Sequence, residues 1–278
     1  MNSFDHDAPD AAPPLTEAEA IANIKGSDSG LRFYAAWWLG KYRSRHPEAV
    51  DLLIDALQDE SDRTEDGGYP LRRNSARALG KLGDTRAVPA LIECLESPDY
   101  YVREAAVQSL EALKDSRCVP RLLAFLVGGV AAAKPVLGKP HLVQPYDGIL
   151  EALGTLQVRE AMPQITEFLD HSLPRVAFAA ARAMYQLTGE DDYGRRLIRG
   201  LEGDNLQLRR AALMDLSATD YTPAASAIAE TLAENSLKLI ALKGILELHI
   251  TAHSGENPDD FTAAPQANEI LHLMDGLL

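Results

Sequence analysis

The stretch LRRNSARALGKLGDTRAVPALIECL, Leu71 to Leu95, is the unit that the rest of the chain repeats. Leu71, Ala76, Ala78, Leu79 and Leu82 recur at helical spacing, and Gly83-Asp84 breaks the run where a first helix should end. A second helix should follow at once. Pro89 falls where a first-turn proline is tolerated, because the donor it lacks would be unpaired there anyway, and Leu91, Ile92, Cys94 and Leu95 supply an apolar face.

Sliding this hairpin along the chain finds it again. Arg72, Leu79, Leu82, Asp84 and Pro89 return 31 positions later as Arg103, Leu110, Leu113, Asp115 and Pro120. Upstream, Arg32, Ala36, Leu39, Gly40 and Lys41 match Arg72, Ala76, Leu79, Gly80 and Lys81 at an offset of 40. Leu153, Leu156 and Pro163 continue the series, and 176–187, 208–216 and 237–248 read as further first helices. Paired helices in units of this length are the mark of an all-α HEAT or armadillo-like superhelix (a solenoid), in which each hairpin buries its apolar face only against its neighbours.

Composition agrees. The 278 residues are 46% hydrophobic but only 6% aromatic, so the core should be built of Ala and Leu between closely spaced helices. A net charge of −14 argues against nucleic acid as a partner, since phosphate backbones demand clustered basic surface. No apolar run approaches a membrane span and no charged-then-apolar leader opens the chain, which places it in the cytosol, without a membrane span. Two cysteines, Cys94 and Cys118, sit among apolar neighbours and read as core thiols in a reducing compartment.

The expected organisation is a disordered tail at 1–14, a solenoid over 15–250, and a C-terminal tail at 251–278. Thr16 should open the first helix, with Ala20, Ile21 and Ile24 as its buried face and Gly26 ending it. Two stretches break the pattern. Asp59 to Tyr69 is charged and glycine-bearing, and the loop insertion at 128–145, GGVAAAKPVLGKPHLVQP, carries three prolines and three glycines that no continuous helix accommodates. His141 stands alone there, so no metal site is expected. Trp37 and Trp38 are adjacent and therefore point about 100° apart on a helix, leaving one indole outside the core. Arg32, Arg72 and Arg103 occupy equivalent positions in three first helices, which would make a basic ladder unless neighbouring carbonyls or acids such as Asp84 and Glu104 take them up.

Arg32 to Lys41, Tyr69-Pro-Leu-Arg-Arg-Asn74, Gly138-Lys-Pro-His-Leu142 with Gln144-Pro-Tyr146, Ala179 to Gln186, and Glu234 to Gly244 together resemble the E subunits of the E/F-type phycobilin lyases. The similarity runs from Leu15 to Leu248. It implies an enzyme that works with an F-type lyase subunit as a heterodimer. Its substrate would be phycocyanobilin, with no tightly bound cofactor, and the bilin would be joined by a thioether to a cysteine of the phycocyanin alpha subunit. Lyases for phycoerythrocyanin and phycoerythrin share much of the pattern, and a bilin carrier or chaperone, or a generic HEAT adaptor, are the other readings. A flat ligand with two propionates calls for cations beside aromatic faces, and the candidates are Trp37, Trp38, Arg72, Arg73, Tyr101, Arg103, His141 and Tyr146. No catalytic nucleophile is identified.

Overall fold

The computed structural model describes residues 15–253 and 265–278. Among these are sixteen α-helices and no strand: α1 (Glu17–Lys25), α2 (Ser29–Lys41), α3 (Ala49–Ala56), α4 (Pro70–Leu82), α5 (Val88–Cys94), α6 (Tyr100–Leu113), α7 (Val119–Phe125), α8 (Gly129–Ala132), α9 (Tyr146–Thr155), α10 (Met162–Glu167), α11 (Pro174–Thr188), α12 (Asp191–Glu202), α13 (Leu206–Ser217), α14 (Ala225–Glu230), α15 (Asn235–His253) and α16 (Pro265–Asp275). After α1, seven hairpins follow: α2/α3, α4/α5, α6/α7, α9/α10, α11/α12, α13/α14 and α15/α16. No helix among the described residues is long and apolar enough to cross a membrane.

Local chemistry sets each boundary. Thr16 caps α1 in a reciprocal capping box with Glu19. Gly83 ends α4 with φ at 75°, a left-handed conformation open to glycine without steric cost. Asp84 and Asp115 then accept hydrogen bonds from the backbone of Arg86 and Arg117, at 2.9 and 3.0 Å, each opening one turn of 3-10 helix. That turn delivers Pro89 and Pro120 into the first turn of the second helix, where they displace no bond.

Successive first helices abut along their length, whereas the second helices meet one another only weakly, so the first helices form the inner row of the curve. The close approach needs small residues. A Cβ on Gly40 would lie 2.7 Å from the Ala78 Cα. The Ser109 hydroxyl crosses from α6 to α4 to donate to the Ala76 carbonyl at 2.8 Å. Leu39, Leu53, Leu79, Leu91, Leu110, Leu122, Ile149 and Phe168 fill the space between the two rows.

One expectation is met, one refined and one corrected here. Residues 59–69 contain no helix, and the insertion at 128–145 is irregular apart from the single turn α8. The insertion closes into a narrow turn, with Val143 N donating to Lys134 O at 2.9 Å and Val136 N to His141 O at 3.1 Å. The C-terminal segment is not merely a tail: α15 continues to His253, and α16 returns to the solenoid. Ile270, Leu273, Met274 and Leu277 recur at helical spacing and give α16 an apolar face, with Ala267 and Ile270 fully buried. Asn235 fastens it by donating to Leu277 O at 2.8 Å. The expectation for 1–14 lies outside the described residues.

Candidate functional site

The exposed surface of the inner row begins with aromatic rings. Tyr34 and Trp37, one turn apart on α2, stack at 5.2 Å, and the Lys41 ammonium stands 5.3 Å over the Trp37 ring. Trp37 is 37% exposed. Trp38, turned away by one residue, packs against the core with its ring 4.7 Å from Tyr42. The next helix presents cations in the same register: Arg73, Arg77 and Lys81 of α4 are the repeat equivalents of Phe33, Trp37 and Lys41. Arg77 is exposed and only loosely paired, 3.9 Å from Glu104. Arg73 points toward Tyr101, with 5.9 Å between guanidinium and ring, and its Nε is buried without a hydrogen-bond partner.

The insertion completes this end of the face. His141 stacks on Tyr100 at 3.9 Å, nearly parallel, and meets Tyr101 edge-on at 5.9 Å. The His141 Nδ1 lies 2.8 Å from the Leu142 carbonyl, which only accepts, so that nitrogen carries the proton. Burial pushes the Tyr100 hydroxyl far up, keeping it neutral.

Four of the eight candidates are placed elsewhere. Arg72 donates to the carbonyls of Asp59 (2.7 Å) and Gln58 (3.2 Å) and lies 4.2 Å from the Tyr69 ring. Arg103 donates to Ser97 O (2.6 Å) and Val143 O (2.9 Å). Arg32 likewise reaches Ile24 O and Asp59. The ladder therefore closes the carbonyl ends of the preceding helices α1, α3 and α5, where orphan acceptors and the helix dipole favour a cation. Tyr146 is 3% exposed and stacks on Phe168, a core residue rather than a ligand contact. Trp38 is also largely used in packing. What the structure brings together is Trp37, Arg73, Tyr101 and His141, with Tyr34, Lys41, Arg77 and Lys81 added. The four-residue spacing of Arg73, Arg77 and Lys81, aligned with Trp37 and Lys41 by the 40-residue offset, was the available signal for the added cations.

Farther along, the inner row is welded by charge. Arg182 of α11 is 8% exposed and pairs with Glu111, with Glu151 at 3.2 Å and with Asp215 at 3.8 Å. Arg175 pairs with Asp147, and Arg210 with Glu234. Burial is the main cause that pushes the Asp215 carboxyl up to about 7, and burial with the neighbouring carboxylates raises Glu151 well above the usual range. A groove of about 630 Å³ opens beside this cluster, lined among others by Gln108, Lys114, Thr155, Arg182, Gln186 and Thr251.

Residues 62–133 match the HEAT repeats family and residues 31–59 the PBS lyase HEAT-like repeat family. The phycocyanobilin lyase subunit alpha of Nostoc sp. (strain PCC 7120) is 59% identical over 266 residues, covering 96% of this chain and 95% of that protein. The chain belongs to the phycocyanobilin lyase alpha-subunit family. The Synechocystis sp. (strain PCC 6803) member is 54% identical over 97% of this chain and 99% of its own length. The bilin biosynthesis protein PecE of Nostoc sp. is 46% identical over 88% of this chain and 91% of its own. Among solved structures, the complex of CpcE and CpcF of phycocyanin lyase from Nostoc sp. PCC7120 contains a chain similar to this one at 56% identity and a TM-score of 0.88, with both chains fully covered.

Within this family, the chain's own thiols are poor reactants. Cys94 and Cys118 are buried, and loss of solvent pushes both up to about 11, so almost no thiolate forms at neutral pH. No cluster of three or more His, Cys, Asp or Glu with metal-holding geometry occurs among the described residues. The chemistry the face offers is recognition: flat rings beside cations that remain accessible.

Proposed function

We propose that this chain is the E-type subunit of a heterodimeric lyase. With an F-type partner in the cytosol, it joins phycocyanobilin through a thioether to a cysteine of the phycocyanin alpha subunit. The observation that carries this reading is the exposed Tyr34–Trp37–Lys41 stripe beside Arg73, Arg77 and Lys81. A linear tetrapyrrole offers a conjugated body to the rings and two propionates to the cations. The family membership and the full-length likeness to a chain of the CpcE and CpcF complex support the same conclusion.

The reaction is an addition. The acceptor sulfur bonds to the ethylidene carbon of ring A, the carbon–carbon double bond is consumed, and the thiol proton ends on the ring carbon. No oxidant or reductant is required, and the bilin is a substrate rather than a resident cofactor. Such a step gains most from holding the two reactants in line, which an effective concentration supplies without a protein nucleophile. Neither Cys94 nor Cys118 is needed in this scheme.

Co-expression of the chain with an F-type subunit, a phycocyanobilin source and phycocyanin alpha tests it. The expected result is a zinc-fluorescent covalent band on the alpha subunit that disappears when this chain is omitted. Bilin absorbance held by the chain with no adduct would support a carrier instead, and neither signal would leave only an adaptor.

A further inference from the structure

Repeats of a solenoid ordinarily contact only their neighbours. Arg182 departs from that rule. From α11 it reaches Glu111 on α6, two first helices back, as well as Glu151 on α9 and Asp215 on α13. Its guanidinium also donates to the Thr155 hydroxyl at 3.2 Å, and that hydroxyl donates to Glu111 at 2.8 Å. Four consecutive first helices thus meet at one buried side chain. The neighbouring residues are small, Ala179 to Ala181 and Ala183, which leaves the long side chain room to lie between helices. The insertion at 128–145 separates α7 from α9, so the staple spans the one place where the spacing between repeats is longest.

The cluster forms a wall shared by two cavities. Glu111, Thr155 and Arg182 line the 630 Å³ groove, while Glu151, Arg182 and Asp215 line a second pocket of about 230 Å³. To unbend the solenoid, the inner edges of α6, α9, α11 and α13 must separate, and each such movement lengthens a bond to Arg182.

We propose that Arg182 is a positioning residue that fixes the curvature of the inner face, and so both the width of the groove beside it and the setting of the α2 and α4 stripe against the rest of that face. The catalytic consequence rests on the lyase reading above; the mechanical one does not. A planar guanidinium with several donors can hold three carboxylates at once, whereas an ammonium is a point charge and cannot span them. The charges around it are Glu111 from α6, Asp147 and Glu151 from α9, Arg175 from α11, and Asp215 with Arg210 from α13. With Asp147 paired to Arg175, and Arg210 to Glu234, three carboxylates face one guanidinium, so the cluster retains a proton near neutrality. Losing it adds repulsion across the staple.

The test measures groove width in the full chain with paired spin labels at Gln108→Cys on α6 and Thr251→Cys on α15, both of which line the groove. In Arg182→Lys and Arg182→Gln the label distance should lengthen and broaden, and KM for bilin in the reconstituted lyase should rise about tenfold with kcat changed much less. Glu151→Gln combined with Asp215→Asn keeps the staple and should keep the short distance. In the unsubstituted staple the distance should grow from about pH 6 to about pH 8.5, across the titration of Asp215, and that pH response should vanish in the Glu151→Gln, Asp215→Asn pair. Should Arg182→Gln fail to fold, Glu111→Gln removes the longest arm and should widen the groove alone. Unchanged distances and KM with only a lower melting temperature would make Arg182 plain cement and overturn the proposal. Widened distances in a system whose wild type shows no turnover would uphold the staple and defeat the lyase reading. Unchanged distances with normal wild-type turnover would do the reverse.

Discussion

The inner face has two ends that use the same residue types differently. On α2 and α4, Trp37, Lys41 and Arg77 are left accessible, and the nearest acid to Arg77 is 3.9 Å away. From α6 to α13, Arg175, Arg182 and Arg210 are each paired with carboxylates, and burial raises the Asp215 and Glu151 carboxyls beside Arg182. The first arrangement leaves charge available to a ligand, and the second converts charge into cohesion between repeats. What separates them is not position in the repeat, since Arg77 and Glu151 are equivalent by the repeat offsets, but whether a neighbouring helix supplies the counter-charge.

If that contrast is right, the largest effect lies in the welded half. Arg182→Met leaves the buried Asp215 and the partly buried Glu111 and Glu151 without their cation and should cost about 3–5 kcal/mol of stability in urea unfolding. A loss under about 1 kcal/mol would break the comparison. Gly40→Val comes next. The added side chain meets the Ala78 backbone, and overpacking of α2 on α4 should cost about 1–3 kcal/mol. That result would show that the ligand-facing half is held by close backbone packing rather than by buried charge.

The third effect sharpens the contrast through pH. The Asp215 carboxyl has an ordinary value of 3.8 that burial raises to about 7. The folded chain therefore holds a proton that the unfolded chain releases, and this contribution to stability is full below about 4 and lost as pH rises through about 7. Asp115, held at about 2 by Arg117, acts in the opposite direction but only below its unfolded value, outside that window. Urea melts between about pH 5 and about pH 8 should lose stability on the order of 1 kcal/mol or more in the wild type. Asp215→Asn should flatten the slope.

Much of the fold was legible because the repeat writes its boundaries in caps: Gly83, Asp84 and Pro89 each mark one, and Asp84 and Pro89 return as Asp115 and Pro120 in the next unit. α16 escaped because its apolar residues follow a long polar stretch and match no other unit at the repeat offsets. The site was half legible. Adjacency alone showed that one of Trp37 and Trp38 would stand outside the core, though not which, and Arg72 and Arg103 match a ligand-binding cation in type while their surroundings, the carbonyl ends of the preceding second helices, are set by inter-repeat packing. Tyr146 was hidden because its ring partner, Phe168, stands at the far end of the same hairpin. Arg182 could not be placed from spacing, because its partners are up to 71 positions distant.

Arg72→Gln and Arg103→Gln turn that distinction into a measurement. Each removes a charged donor from carbonyls that are otherwise unpaired, and should cost about 1–2 kcal/mol. Bilin binding per folded molecule should be unchanged. Weakened binding at an unaltered melting temperature would return these arginines to the ligand face.

The smallest stability change is expected where the functional change is greatest. Trp37→Leu removes an exposed ring that touches Tyr34 and Lys41 but little of the core, so stability should move by less than about 0.5 kcal/mol. Trp38→Leu removes a ring packed on the core and against Tyr42, and should cost about 1–2 kcal/mol. Binding should run the other way. If the α2 and α4 surface carries the bilin, Trp37→Leu weakens its capture about tenfold or more through loss of ring contact, while Trp38→Leu changes capture only in proportion to the folded fraction. Fluorescence titration of bilin into the complex with the F-type subunit, alongside thermal melts of both variants, reads the two quantities together. Equal binding losses in the two variants would mean that the indoles act through the packing of α2, and that the accessible half of the inner face is not where the bilin rests.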